Sequence, residues 1–339
     1  MSIERELKFR LAAGATARLQ RELALGEPKP VHSIYFDTPE RELQRARMAL
    51  RLRRHGDRWL QTLKCVINAA ARHEWEMPVA HNALEPGHFP SDEVVAASGI
   101  DISTLSDRLA PVFETRFTRR VADVQQDEGA LEIALDVGEV IADGRSEPIR
   151  EVELELKSGA PWTLLRFADP LVERFDLQLA IESKAERGYR LAEGQALPPP
   201  RKWQQPDIVE RAPGEALSAL LASALEQACR NARGVLDTED AEYLHQLRVG
   251  LRRFRSTLNA FKALAPTADA LRGEMRTFSA ALGAARDWDV FVHGLSPRNR
   301  LLREARRRHA IAQRDARSVV ASAAFNRCLL HAYAWLEEA

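Results

Sequence analysis

Two periodicities divide this chain. Over residues 1–157 apolar and polar positions mostly alternate with period two, the pattern of a strand with one buried face. The alternation predicts eight strands, at 3–10, 32–37, 48–55, 58–66, 72–79, 112–124, 130–142 and 149–157. His55-Gly56-Asp57 and Asp127-Glu128-Gly129 fall where hairpin turns belong. Helices are expected at about 14–25, 91–98, 102–109 and 161–174. From Ala216 onward apolar residues recur at helical spacing, and no strand-like run stands out. Pro198-Pro199-Pro200 and Pro206 interrupt a stretch of little periodicity and predict a linker. The expected organisation is a strand-rich domain over 1–192, a linker over 193–213 and a helical domain over 214–339.

The strands carry their charge in rows along one face, mostly of a single sign. Glu4, Glu6 and Lys8 share a face of the first strand. Arg51 and Arg53 lie opposite Leu50 and Leu52, and Glu74 and Glu76 flank Trp75. Glu132 and Asp136 sit two positions either side of Ala134, and Glu151, Glu153 and Glu155 alternate with Val152, Leu154 and Leu156. Rows of like charge repel unless something neutralises them. A solvated sheet face explains such a row on any one strand. Five such strands in one sheet fit a closed barrel with a charged lumen better. That lumen calls for a ligand of both signs: a polyanion on the Arg/Lys wall and a hard cation on the carboxylates. Oxygen-only donor sets suit Mg²⁺ or Mn²⁺. A nucleotide or an inorganic polyphosphate with its metal meets both demands.

The helical part has its own charge row. Leu244, Leu247, Leu251, Phe254 and Leu258 form an apolar stripe, and His245, Arg248, Arg252 and Arg255 form a cationic stripe beside it. The cationic stripe contains no acid, whereas a solvated helix face usually mixes signs. An exposed basic face and a surface for a long polyanion both fit this spacing.

Composition narrows the classes further. Net charge is zero, but residues from Gly214 onward hold 19 Lys+Arg against 14 Asp+Glu, leaving 30 against 35 before them. That asymmetry is too small to argue for duplex nucleic acid, and no specific nucleic-acid partner is expected. Cys65, Cys229 and Cys328 have neither metal-ligand spacing nor a paired count, so three free thiols in a reducing cytoplasm are expected. The first residues lack an apolar signal segment, and no apolar run approaches the roughly 20 residues of a membrane helix. No membrane association is expected.

With these residues in view, the first part resembles the CYTH family, the triphosphate tunnel metalloenzymes. Glu4-x-Glu6-x-Lys8 looks like the family's ExExK signature. Arg51 and Arg53, then Lys64, then Glu74 and Glu76, then Arg116 and Arg119, then Asp136, then Glu151, Glu153 and Glu155, and finally Lys184 follow in family order. The resemblance implies an α+β fold: an eight-stranded antiparallel β-barrel tunnel with flanking helices, followed here by an all-α helical bundle. It implies a metal-dependent enzyme that hydrolyses inorganic triphosphate to diphosphate and phosphate, using Mg²⁺ or Mn²⁺. Arg51, Arg53, Lys64, Arg116, Arg119 and Lys184 become candidate phosphate contacts. Glu4, Glu6, Asp136, Glu151, Glu153 and Glu155 become candidate metal ligands, and which of the late glutamates bind stays open. Lys8, Lys184, Glu74 and Glu76 become catalytic candidates. Lys184 either orients the nucleophile or forms a salt bridge. Arg116 and Arg119 have opposite parity, so a regular strand turns one of them outward unless a bulge intervenes. Thiamine triphosphatase, adenylate cyclase and a non-catalytic polyphosphate scaffold are the alternatives. No base-binding motif favours the cyclase.

The stripe around His245 is similar to the HxxRVxxRRxR signature of CHAD domains, and Leu282-Gly-Ala-Ala-Arg-Asp-Trp-Asp-Val290 resembles a second segment of that family. The resemblance implies polyphosphate binding by His245, Arg248, Arg252 and Arg255. Asp287 and Asp289 either pair with those arginines or cap a helix. A complete CHAD domain has two related halves, and Arg306-Arg-Arg-His309 does not repeat the signature. Half a CHAD domain is expected, with apolar helix surface that either is covered by a partner, such as a second copy in an oligomer, or leaves this part marginally stable.

Overall fold

The computed structural model describes residues 2–56, 58–67, 71–126 and 128–338, so Asp57 and Asp127 of the predicted turns lie outside the described residues. The chain forms two units. One comprises Met1–Leu164 and Ile181–Leu197, the other Leu165–Ala180 and Pro198–Ala339.

In the first unit eight strands close into an antiparallel barrel. They are β1 (Ser2–Arg10), β2 (Lys29–Asp37), β3 (Met48–His55), β4 (Arg58–Val66), β5 (Ala71–Val79), β6 (Ala110–Gln126), β7 (Gly129–Ala142) and β8 (Arg145–Gly159). The order around the barrel is β5-β4-β3-β2-β6-β7-β8-β1, and β1 pairs with β5 as well as β8, which seals it. Each predicted strand is present. β6, β7 and β8 run longer than their alternation suggests, because one continuous ladder carries the pairing through polar ends that hold no apolar signal.

Much of the barrel's outer face is apolar and covered, and most of its lumen is charged. Leu50, Leu63 and Trp75 face outward and are buried beneath Leu43 of α2 (Glu42–Arg45), Val94 of α3 (Ser91–Ser98) and Ile102. At one end the lumen itself turns apolar. There Tyr35 stacks on Phe113 at 4.4 Å, Tyr189 meets Phe113 edge-on at 5.1 Å, and Val140 and Ile149 complete the layer. Tyr189 comes from α5 (Lys184–Ala192), which opens with a reciprocal cap between Ser183 and Glu186. Gly188 lies so close to the Phe113 ring that a Cβ there would fall 2.0 Å from it.

Two helix expectations change. The predicted 14–25 helix starts as a 3₁₀ turn at Ala13–Ala15 and is α-helical only over α1 (Thr16–Glu22). The segment Ile102–Arg108 is a 3₁₀ helix, because Ser103, Thr104 and Ser106 bond their own local backbone or Asp101 and compete with an α-helical ladder. The expected 161–174 helix is α4 (Pro161–Phe175).

The second unit is helical, with α6 (Pro213–Asp237), α7 (Ala241–Ala260), α8 (Asp269–Ala281), α9 (Gly283–Gly294), α10 (Leu302–Ala321) and α11 (Ala323–Glu338). Helices α6 and α7 run antiparallel. Gly234 meets the Tyr243 ring, and at Gly250 a Cβ would stand 2.7 Å from the Ala228 nitrogen. All five residues of the Leu244–Leu258 stripe are buried. Leu165–Ala180 group with these helices rather than with the barrel, unlike the predicted 1–192 domain. Arg327 of α11 grips Asp169 at 2.8 and 2.7 Å, and Asn326 accepts the Leu179 N–H at 2.9 Å. Part of the predicted 193–213 linker is likewise tied down: Asn231 brackets Arg201, and the Arg253 guanidinium lies 4.3 Å over the Trp203 ring. Among the described residues no helix is long and apolar enough to cross a membrane.

Candidate active site

Register places the charged rows side by side inside the barrel. Successive residues of a strand point to opposite faces, so one inward residue fixes its neighbours. Arg10, Glu151, Asp136 and Arg119 form one cross-strand row over β1, β8, β7 and β6. Lys8, Glu153 and Ala134 form the next, and Glu6, Glu155 and Glu132 the one after. On the other side Tyr35 pairs with Arg51, Arg51 with Thr62 and Thr62 with Glu76, while Lys64 pairs with Glu74 and Glu4 with Arg72.

Within this frame the charges interlock. Arg119 holds Asp136 through Nε and Nη2, both at 2.7 Å, and reaches Glu153 with Nη2 at 2.5 Å. Lys184, at the first turn of α5, extends its Nζ to 2.8 Å from Asp136, 2.8 Å from Glu151 and 2.7 Å from Glu153. Arg187, one turn on, bonds Glu151. Lys8 lies 3.0 Å from Glu6 and 3.4 Å from Glu153. Arg72 contacts Glu6 at 2.8 Å and Glu4 at 3.7 Å, and Lys64 contacts Glu4 at 2.5 Å and Glu74 at 3.4 Å. Thr62 donates to Glu76 at 3.1 Å.

The electrostatics are uneven along the lumen. Burial alone would raise the Glu6 carboxyl, but Lys8 and Arg72 override it and hold it near 2. Burial works against Glu151 and Glu153 in the same way, and Lys184 above all keeps both ionised. Burial likewise opposes the Lys184 ammonium, yet Asp136, Glu151 and Glu153 together raise its pKa. Glu155 behaves differently. Burial raises it, Glu4 and Glu132 raise it further, and Lys157 at 2.9 Å offsets this only in part. Arg53 is the opposite pole: burial pushes it down to about 10, with Arg51 and Arg119 repelling it. Among the described residues Arg53 has no carboxylate at ion-pair distance, and its Nε reaches only Ser33 Oγ at 3.4 Å.

The structure thus brings Lys8, Glu4, Glu6, Arg51, Arg53, Lys64, Glu74, Glu76, Arg119, Asp136, Glu151, Glu153, Glu155 and Lys184 to one lumen. It leaves Arg116 out. No register shift separates Arg116 from Arg119, so strict alternation turns Arg116 outward, where its side chain is 59% exposed and pairs with Glu114 at 2.7 Å. Arg116 is therefore corrected from a candidate phosphate contact to a residue of the outer face. Arg72 is a lumen residue that the sequence pattern offers and the candidate set omits: it lies two positions before Glu74 and shares its parity. Tyr35 is another, and nothing in its own strand's composition marks it.

Oxygen atoms of Asp136, Glu151 and Glu153 lie within 4.8 Å of one another, and all three residues are buried. An all-carboxylate donor set of this size fits a hard divalent cation such as Mg²⁺ or Mn²⁺.

In the helical unit, His245 and Arg248 are half-buried and Arg252 is exposed, on a face of α7 beside the buried stripe. Burial and the neighbouring Arg286 lower the His245 pKa. Burial also lowers Arg248, while Asp287 works in the other direction. Asp289 has a different role: its buried carboxylate accepts from His309 at 2.5 Å and Gln313 at 2.7 Å, tying α9 to α10.

A barrel with its apolar face outward and interlocked charges within defines a tunnel protein, and comparison with known proteins gives the class. The CYTH domain model matches residues 2–189, and the CHAD domain model matches residues 219–339. The chain belongs to the CYTH domain family. The inorganic triphosphatase of Haemophilus influenzae is 31% identical over 174 residues, 49% of this chain and 47% of that protein. The chain therefore spans about half the length of the curated relative it matches. Among solved structures, a Bacillus halodurans protein provisionally described as an adenylate cyclase is 24% identical, with a TM-score of 0.39 over 52% of this chain and 91% of its own. The CHAD domain of Ricinus communis is 37% identical, with a TM-score of 0.37 over 41% of this chain and 50% of its own.

Proposed function

We propose that the barrel lumen hydrolyses inorganic triphosphate to diphosphate and phosphate with Mg²⁺ or Mn²⁺. One observation carries this reading: Arg53 is a half-buried lumen cation with no carboxylate at ion-pair distance among the described residues, and Arg51 and Arg119 repel it. A phosphate chain against that wall relieves the repulsion, and guanidinium groups match phosphate oxygens in bidentate geometry. Arg51 and Arg53 anchor the chain, with Lys64 and Arg119 beside them. Lys8 and Lys184 serve as further contacts, and Glu74 and Glu76 hold Lys64 and Thr62 in place. Drawn from Glu4, Glu6, Asp136, Glu151, Glu153 and Glu155, a set of carboxylates holds the cation, which polarises phosphate oxygens and neutralises charge in the transition state. Attack on a terminal phosphorus in line with the departing diphosphate needs positioning and charge compensation more than covalent chemistry. The lumen's fixed charges supply both without reorganising.

The same reading gives the helical unit a polyphosphate-binding face at His245, Arg248, Arg252 and Arg255. Those cations lie together on α7, and burial above all, with Arg286 of α9 adding repulsion, has lowered His245 and Arg248.

The test is phosphate release from triphosphate, ATP and thiamine triphosphate, each with and without Mg²⁺ or Mn²⁺. Triphosphate is expected to be the best substrate, and only with metal. Glu6→Gln is expected to lower the rate by about 10²–10³-fold in a protein that stays folded by circular dichroism. Full activity of Glu6→Gln, or turnover without divalent cation, would refute the metal-dependent reading.

A further inference from the structure

The trio Asp136, Glu151 and Glu153 already has a cation at its centre. The Lys184 ammonium lies 2.8, 2.8 and 2.7 Å from the three carboxylates. Arg119 on Asp136 and Glu153, Arg187 on Glu151 and Lys8 at 3.4 Å from Glu153 surround the same group. The three carboxylates therefore already have four cations around them, of which Lys8 and Arg187 also reach Glu6 and Glu147. A divalent cation added with Lys184 in place would sit against an ammonium at contact distance in a buried site, where repulsion is poorly screened. One of the two has to leave.

We propose that Lys184 and a divalent cation compete for these three carboxylates, and that the Lys184 side chain swings out of the trio when the cation binds while the body of α5 stays docked. The inference rests on the metal-dependent reading above and adds a regulation to it.

The remaining contacts of α5 say why the side chain moves and the helix does not. Arg190 is held by Glu147 at 2.6 Å, by Glu182 at 2.8 Å and by the Gln195 and Ala196 carbonyls at 3.1 and 2.7 Å. Gly188 is pressed against the Phe113 ring, and Tyr189 sits edge-on to it. Lys184 stands at the first residue of the helix, ahead of these anchors, on a flexible four-carbon stem. The Phe117 ring lies 5.3 Å from the Nζ while the ammonium is in the trio, so the site holds the side chain by a ring contact as well as by charge. A cation site guarded in this way binds metal alone weakly. It binds better once a phosphate chain gives the displaced ammonium a new anionic partner, which couples cation and substrate binding.

The experiment measures Mn²⁺ binding to the metal-stripped full chain without triphosphate, by the electron paramagnetic resonance signal of free Mn²⁺. Lys184→Met is expected to bind Mn²⁺ at least about tenfold more tightly than the unaltered chain, and adding Asp136→Asn to it is expected to erase the gain. Unchanged or weaker binding by Lys184→Met, or a gain that survives Asp136→Asn, overturns the proposal. The unaltered protein provides a second reading that needs no variant to fold. Labelling of Lys184 by an amine-reactive reagent, followed by mass spectrometry, is expected to speed up when Mg²⁺ is added, and constant or slower labelling overturns the proposal. Phosphate release by the unaltered protein is scored separately. Tighter Mn²⁺ binding without turnover sinks the triphosphatase reading and leaves the competition standing; turnover with no effect at Lys184 does the reverse.

Discussion

The barrel and the helical unit carry the same kinds of charged side chain to opposite ends. In the lumen, Asp136 is fully buried and bound by Arg119 and Lys184. On α7, Arg252 stands exposed beside a stripe that is already packed. In the first setting each charge depends on its partners, because an ion left alone in a low-dielectric interior is costly. In the second, water and salt do the neutralising. Charge in the lumen is thus part of the fold and of the chemistry together. Charge on α7 is available for binding and contributes little to stability.

Removing one lumen partner breaks this contrast most sharply. Asp136→Ala is expected to cost about 3–5 kcal/mol, measured as the shift in urea unfolding, because it strands buried cations. Acid comes next. The folded Glu6 pKa, near 2, lies below its ordinary value of 4.5, so its contribution to stability is complete above about pH 4.5 and fades as the pH falls towards 2. Urea midpoints taken between pH 5 and pH 3, roughly that window, are expected to fall with pH for the barrel. The smallest effect belongs to α7. Arg252→Ala is expected to change stability by no more than about 0.5 kcal/mol while weakening polyphosphate binding and flattening its dependence on salt. A stability loss at Arg252 as large as that at Asp136 would erase the distinction between the two regions.

Much of this was legible because both periods were strong. The parity that pairs Glu151 with Glu153 and Glu155 on β8 also sorts Arg119 from Arg116, once the ladder is known to run without a bulge between them. Helix α5 was not legible as a helix. Its buried positions include Lys184, Arg187 and Arg190, so burial along it does not follow hydrophobicity, and its apolar row of Ala185, Tyr189 and Ala192 is short. The boundary near 165–180 was hidden for a related reason. Asp169 and Glu173 look like surface residues until Arg327, more than 150 positions later, turns out to be their partner. Arg72 was missed for want of a neighbour of its own sign: a lone arginine ahead of two glutamates reads as a surface pair rather than as a lumen cation.

The seal between β1 and both β5 and β8 has a consequence for how the protein is made. The first strand leaves the ribosome earliest, but its two neighbours span Ala71–Val79 and Arg145–Gly159. Ser2–Arg5 can pair once β5 exists, but Glu6–Arg10 wait for β8, and contacts this distant in sequence make folding slow. Glu4, Glu6 and Lys8 also serve the nascent chain: charge on an unpaired strand discourages it from adding to a stranger's sheet.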